Sequence, residues 1–166
     1  MEQRKKAANN ERATKVILVA TVLSGLLAAG LGGVLYAGDR TPSVLLRPDD
    51  PEIVANGKRV YTDQCAACHG DKLQGEPDWR GTNEDGRLRA PPHDETGHTW
   101  HHADELLFGI TKFGLAEIAN RPSYETDMPV FKDILSDEDI IAALSFIKST
   151  WPDRIRQMHD QRNAQK

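Results

Sequence analysis

Cys65, Ala66, Ala67, Cys68 and His69 form the pentapeptide C-x-x-C-H, and no other stretch of the chain restricts its folding so tightly. Two thiols at this spacing can each form a thioether to one vinyl group of a haem, and the imidazole that follows then sits under the iron. The competing use of C-x-x-C is a disulfide or a thioredoxin-like redox pair, which needs a βαβ context. The flanking residues offer none, and that reading leaves His69 unexplained. The chain has two cysteines in total, so two thioethers leave no disulfide.

Composition points to the same need for a cofactor. Apolar residues make up 39% of the 166 residues, and one N-terminal run holds a large share of them. A globular domain of about 100 residues with so few core-forming side chains is marginal alone. One covalently held porphyrin supplies a large flat apolar body at the centre, so the haem-free chain is expected not to fold cooperatively.

The N-terminal run, Val16 to Ala37, carries no charge. At about 1.5 Å per residue it is long enough to cross a hydrocarbon layer of ~30 Å. Arg4, Lys5, Lys6, Arg12 and Lys15 precede it, which orients the N-terminus toward the cytoplasm and the rest outside. A cleaved signal peptide is the alternative, but its apolar core is shorter and ends at small residues, whereas Leu35, Tyr36 and Ala37 put a bulky side chain there. The expected organisation is a cytoplasmic N-terminus (1–15), a transmembrane anchor (16–37), a linker (38–51), a globular domain (52–152) and a polar C-terminal tail (153–166). Residues 1–37 hold five of the 21 Lys/Arg and two of the 25 Asp/Glu, which leaves 16 basic and 23 acidic residues, a net −7, beyond the anchor. Such a balance argues against nucleic acid as a partner and allows steering toward a basic docking patch.

Three helices are expected after the linker. The first covers Glu52 to Ala66, with Gly57 and Tyr61 on one face. The second covers His102 to Phe113, with Leu106, Leu107, Ile110 and Phe113 at helical spacing, and stops at Gly114. The third covers Ser136 to Trp151, where Ser136 and Asp139 resemble a capping box. Arg154 to Lys166 reads as a frayed helix or tail. Gly70 to Thr99 has neither helical nor alternating period and is expected to be loop, ordered by wrapping a cofactor. No strand pattern and no internal repeat are found.

A haem iron needs a ligand on its second face, and Met/His ligation raises its potential. Of the three methionines, Met1 precedes the anchor and Met158 lies in the polar tail. Met128 is followed by Pro129, which stiffens the loop between the second and third helices, and it is the expected axial sulfur. If Met128 only fills a core gap, the iron is five-coordinate or bound by histidine.

C-A-A-C-H after a first helix, M-P-V-F before a last one and the closing I-I-A-A-L-S-F-I-K-S-T-W resemble the class I cytochrome c family, over roughly Glu52 to Trp151. The resemblance implies an all-α cytochrome c fold around one covalent haem c. It also implies that the first and last helices cross closely, with Gly57 and Tyr61 answered by Phe146 or Ile147. A proline carbonyl should accept a hydrogen bond from His69, and Pro91 aligns best. The glycine and apolar residue that usually flank this proline are here Ala90 and His93, and the segment between Gly70 and Ala90 is long for the family.

His93, His98, His101 and His102 cluster around Trp100. Trp100 and one or two of these histidines are expected to line the haem edge and hydrogen-bond its propionates, the indole being a pure donor suited to a carboxylate. A copper or zinc site is the alternative. Arg87, Arg89 and Arg121 are further candidates for propionate pairing.

The expected function is one-electron transfer, not catalysis, by a single-pass protein of the bacterial inner membrane with its haem domain in the periplasm. Expected partners are a quinol-oxidising complex, a terminal oxidase or a periplasmic dehydrogenase. The alternatives are a fixed haem subunit of an oxidase or dehydrogenase complex, a haem enzyme or sensor with an open sixth position, and a haem protein with a copper-handling loop.

Overall fold

The computed structural model describes residues 46–165. The first helix, α1 (Pro51–Gln64), begins where Asp50 caps it: the Asp50 carboxylate accepts from the N–H groups of Glu52 and Ile53, and Pro51 takes the first turn. The helix ends earlier than the expected Ala66, because Cys65 breaks the regular pattern and a separate short helix, α2 (Ala66–His69), carries the end of the pentapeptide. Residues 70–98 form the expected long loop, in which one isolated antiparallel bridge joins Thr82 and Leu88. A 3₁₀ turn (Thr99–His101) leads to α3 (Asp104–Phe113), which starts two residues later than expected. His102 and Ala103 are extended there, while Asp104 and Glu105 suit the positive end of a helix. A short helix, α4 (Leu115–Ile118), follows Gly114. Among the described residues there is no strand.

The last two helices are α5 (Asp137–Ser149) and α6 (Asp153–Asn163). Ser136 caps α5 by accepting from the Asp139 N–H at 3.1 Å. The Asp139 carboxylate in turn takes the Ser136 hydroxyl (3.0 Å) and the Asn56 amide (3.1 Å). Asn56 lies on α1, so the Asp139 side chain in the first turn of α5 ties that helix to the first.

Packing of α1 against α5 makes the core. Gly57 sits at the crossing, where a Cβ would fall 1.9 Å from the Ala142 carbonyl oxygen. One turn on, the Tyr61 ring meets Phe146 with centroids 5.5 Å apart. Ile140, Leu144, Ile147 and Trp151 from the end of the chain and Leu107 from α3 fill the space behind them.

The C-terminal segment, expected as a frayed helix or polar tail, is a helix packed on the domain. In α6, Ile155 and His159 are buried one turn apart. The Asn163 side chain accepts from the Asp104 N–H at 2.8 Å and donates to the Asp104 carboxylate at 2.9 Å. Lys148 bonds Asp160, and Arg156 bonds Asp49. Most of these contacts are polar, so no apolar stripe announces the helix. The end of the expected linker is also part of the domain: Leu46 is buried and its N–H donates to Asp104 at 3.0 Å.

Fully buried His159 has its Nε2 3.4 Å from Asp104 and its ring edge-on to Trp151. Burial pushes its pKa below 6.5, the Lys148 charge pushes the same way, and Asp104 opposes both. The unfolded chain therefore takes up this proton at a higher pH than the folded one, so acidification below about 6.5 favours unfolding. Denaturation midpoints at pH 7.5 and 5.5 are expected to fall further in the parent than in His159→Gln. Equal falls would remove His159 from the acid response.

The proposed anchor, Val16–Ala37, lies outside the described residues. Among the described residues no helix is long and apolar enough to cross a membrane.

Candidate functional site

The pentapeptide turns at the junction of α1 and α2. Half-buried Cys65 ends α1, and Cys68 is exposed on α2. The thiols are free, not joined as a disulfide. Burial, with the neighbouring Cys68, pushes the Cys65 thiol up to about 11, so it is protonated at neutral pH. His69 closes α2 and is buried. Gly70 follows at φ +82° and turns the chain away, and its carbonyl accepts from the Tyr61 hydroxyl at 2.9 Å. A core side chain of α1 thus steadies the residue next to His69.

The His69 ring is oriented by Pro91, whose carbonyl oxygen lies 2.8 Å from Nδ1. A carbonyl only accepts, so Nδ1 carries the proton and Nε2 keeps its lone pair, the form in which an imidazole binds a metal. Burial holds the His69 pKa below its ordinary value, against the opposing pull of the Pro91 bond and Glu76. The ring is therefore neutral at physiological pH. The same bond makes Nε2 a stronger donor, as hydrogen bonding to the far nitrogen of a ligand histidine does generally.

The Pro91 segment reaches this position because the loop folds back on itself. Gly75, at φ +66°, donates its N–H to the His69 carbonyl at 2.8 Å. A Cβ on Gly75 would lie 2.5 Å from the Pro92 nitrogen and 2.7 Å from the Ala90 oxygen. Only a glycine lets the two stretches of loop approach so closely.

The four clustered histidines do not make one site. His93 leaves the others and stacks on His69, with ring centroids 4.0 Å apart and planes inclined by 22°. Its Nδ1 lies 2.8 Å from the Thr99 hydroxyl, and its carbonyl accepts from the Trp151 indole at 2.7 Å. His98 stacks on Trp79 and meets His102 edge-on, while His101 lies against Trp100. Burial depresses the pKa values of His93, His98 and His102, and neighbouring imidazoles add to it. Among the described residues no group of three or more His, Cys, Asp or Glu side chains is arranged to hold a metal ion.

Met128 is half-buried and packs against the core, as do Cys65, Trp100 and Phe108. Phe131, three residues on, is buried and donates its N–H to the Thr111 carbonyl, which roots the Met128 loop on α3. Of the three candidate arginines, Arg121 is exposed and Arg87 and Arg89 are half-buried.

Among the described residues, the buried indole N–H of Trp100 and the Nε–H of Arg87 have no hydrogen-bond partner, nor has the His159 Nε2 away from this site. Buried N–H groups are normally paired. Trp100, like Cys65 and Met128, packs against the core, and Arg87 binds Asp127, the neighbour of Met128. Carboxylates on the rim of a haem would satisfy both donors. With a free imidazole Nε2, two thiols on one turn and a thioether on the same core, the residues present fit that group.

Sequence reasoning missed Trp151, Thr99 and Tyr61 as supports of this site. The closing helix uses Trp151 as an apolar residue, but a buried indole N–H needs an acceptor. That requirement was the available signal, and His93 meets it.

No curated protein and no solved structure is detectably similar to the chain. The family model for cytochrome c matches residues 54–151, more than half of the chain, from α1 through Trp151. The match takes in the C-x-x-C-H turn, the Pro91 carbonyl behind its histidine and the packed α1–α5 pair, so the chain belongs to the cytochrome c family, whose domain binds covalent haem c.

Proposed function

We propose that this protein is a membrane-anchored carrier of single electrons, in which Cys65 and Cys68 hold the haem and His69 and Met128 are the axial ligands. Pro91 orients His69, and Trp100 meets a propionate. The observation that carries the reading is the Nδ1–H of His69 on Pro91, which leaves Nε2 as the free donor of a buried, neutral ring. Haem supplies a one-electron couple. The protein's part is to keep both ligands in place in either oxidation state, so little rearrangement accompanies transfer.

A thioether ligand raises the potential. Met128→Ala is expected to lower it by on the order of 0.1–0.2 V, within the ~0.8 V that axial ligands command. A redox titration followed by the visible spectrum measures this. Unchanged spectrum and potential in that variant would remove Met128 from the iron. Rapid binding of carbon monoxide or cyanide by the parent protein would instead favour the enzyme or sensor reading.

Anchoring rests on the charge-free run Val16–Ala37 and the basic residues before it. The domain then lies on the periplasmic face of the bacterial inner membrane. Confinement to that plane raises its encounter rate with membrane partners, which we take to be a quinol-oxidising complex, a terminal oxidase or a dehydrogenase. Full-length protein should stay with membranes after a high-salt wash, and a chain starting at Gly38 should not. A stable complex in mild detergent would favour the fixed-subunit alternative.

A further inference from the structure

We infer that the turn Asn83–Arg87 is a clasp that holds the Met128 loop closed and sets how readily an outside ligand displaces the sulfur. The inference rests on Met128 being an axial ligand, and it assigns a use to the long segment after His69.

The turn is built to be rigid before it meets its partner. The Asn83 N–H donates to the Arg87 carbonyl at 2.8 Å. The Asn83 side-chain oxygen accepts from the N–H groups of Asp85 (3.1 Å) and Arg87 (2.9 Å). The Thr82–Leu88 bridge closes its base. So constructed, it presents two side-chain donors to one carboxylate. The Asn83 amide donates to one Asp127 oxygen at 3.0 Å, and the Arg87 guanidinium donates to the other. Asp85 accepts from the other terminal nitrogen of the guanidinium at 3.4 Å and steadies it.

Asp127 immediately precedes Met128. The loop that carries them leaves Asn120, whose φ is +51°, and is next rooted in α3 by Phe131. Between these points Met128 has a local bond, from its N–H to the Thr126 hydroxyl. The clasp joins this stretch to a part of the chain 40 and 44 residues earlier. A thioether is a neutral, weak ligand, so its residence on a metal depends on how firmly its loop is held. The ion pair is partly exposed, with side chains 33% and 49% accessible. Its effect is therefore modest, three- to tenfold in a rate, as expected of a surface charge pair reinforced by a neighbouring hydrogen bond.

Arg87 and Asp127 act here as positioning residues. The test uses the ferric holoprotein with imidazole as the entering ligand, at concentrations where the rate no longer rises with imidazole and loop opening limits it. Arg87→Ala and Asp127→Asn are each expected to raise that limiting rate three- to tenfold, and the double variant no further than the faster single. Arg59→Ala removes exposed contacts with Asp63 and Asn56 on α1 and with Asp139 on α5, all away from the Met128 loop, and should leave the rate at the parent value. Parent-like rates in both single variants, multiplying effects in the double, or an equal rise in Arg59→Ala would each overturn the clasp. Asp127→Asn preserves size, so loss of fold does not cloud the result, and the helical circular dichroism of each variant checks it. Met128→Ala separates the two levels of the argument. If it leaves spectrum and rate unaltered, the ligand assignment fails and the clasp fails with it. If it alters both while the Arg87 and Asp127 variants do not, the clasp alone is wrong.

Discussion

The double variant Cys65→Ala/Cys68→Ala is expected to lose covalent haem and, with it, a sharp thermal unfolding transition. The physical ground is the shortage of apolar contacts in the loop after His69. Over residues 70–98 the backbone is held without a helix, and Leu73 is buried there while Leu88 is 53% exposed. Ordering each residue costs roughly 1–2 kcal/mol of backbone entropy, whereas burying one large apolar side chain returns about 1.5–3 kcal/mol. Leu73 and Pro92, the buried apolar side chains there, cannot offset a segment of that length. Trp100, Phe108 and Met128 are likewise only partly buried against the core, and Trp100 and Arg87 hold N–H groups with no protein acceptor. A haem would answer all of these deficits together, held in place by the two thioethers proposed above. Far-ultraviolet melting of the purified double variant should be broad and shallow, with some helix retained where α1 meets α5. A cooperative transition near that of the holoprotein would mean that the polypeptide carries its own fold.

Gly57→Ala is expected to destabilise the holoprotein by about 2–4 kcal/mol, as overpacking against an unyielding contact does. The new Cβ would fall 1.9 Å from the Ala142 oxygen, 2.5 Å from its carbonyl carbon and 2.9 Å from the Phe146 Cβ. Two of those atoms are backbone and the third is the root of a side chain, so none can swing aside and α1 must lift off α5. Lifting loosens the Tyr61–Phe146 ring contact and, through the Tyr61 hydroxyl, the Gly70 carbonyl beside His69. Alanine is the better helix former by about 1 kcal/mol, which offsets only part of the cost. The thermal midpoint should fall by roughly 10–20 °C, with a larger fall for Gly57→Val. An alanine variant as stable as the parent would show that the helices do not approach so closely.

Much of the architecture could be read from residues close together in the chain. Two helices were legible because apolar side chains recur at helical spacing in Leu106, Leu107, Ile110 and Phe113 and in Ile140, Leu144 and Ile147, and because Ser136 and Gly114 mark ends by local hydrogen bonding or turning. Pro91 could be singled out as the partner of His69 only through resemblance to a family, since nothing local links residues 22 positions apart. The packing of the C-terminal helix escaped notice because its inward face is Ile155, His159 and Asn163, and two of these three bond to Asp104 or lie against it. A polar side chain on a buried face looks, in a sequence, like one on an exposed face.

The covalent chemistry of the centre follows from five consecutive residues, because thioether spacing and the adjacent imidazole are properties of a single turn. The pairing of polar groups does not follow in that way. His93 on His69, the Trp151 indole on the His93 carbonyl, and Asn83 with Arg87 on Asp127 join positions 24 to 58 apart. A hydrogen bond has no period along a chain, and each donor here has many acceptors of equal chemistry to choose from. Folding selects among them by bringing one within about 3 Å and excluding water from the rest.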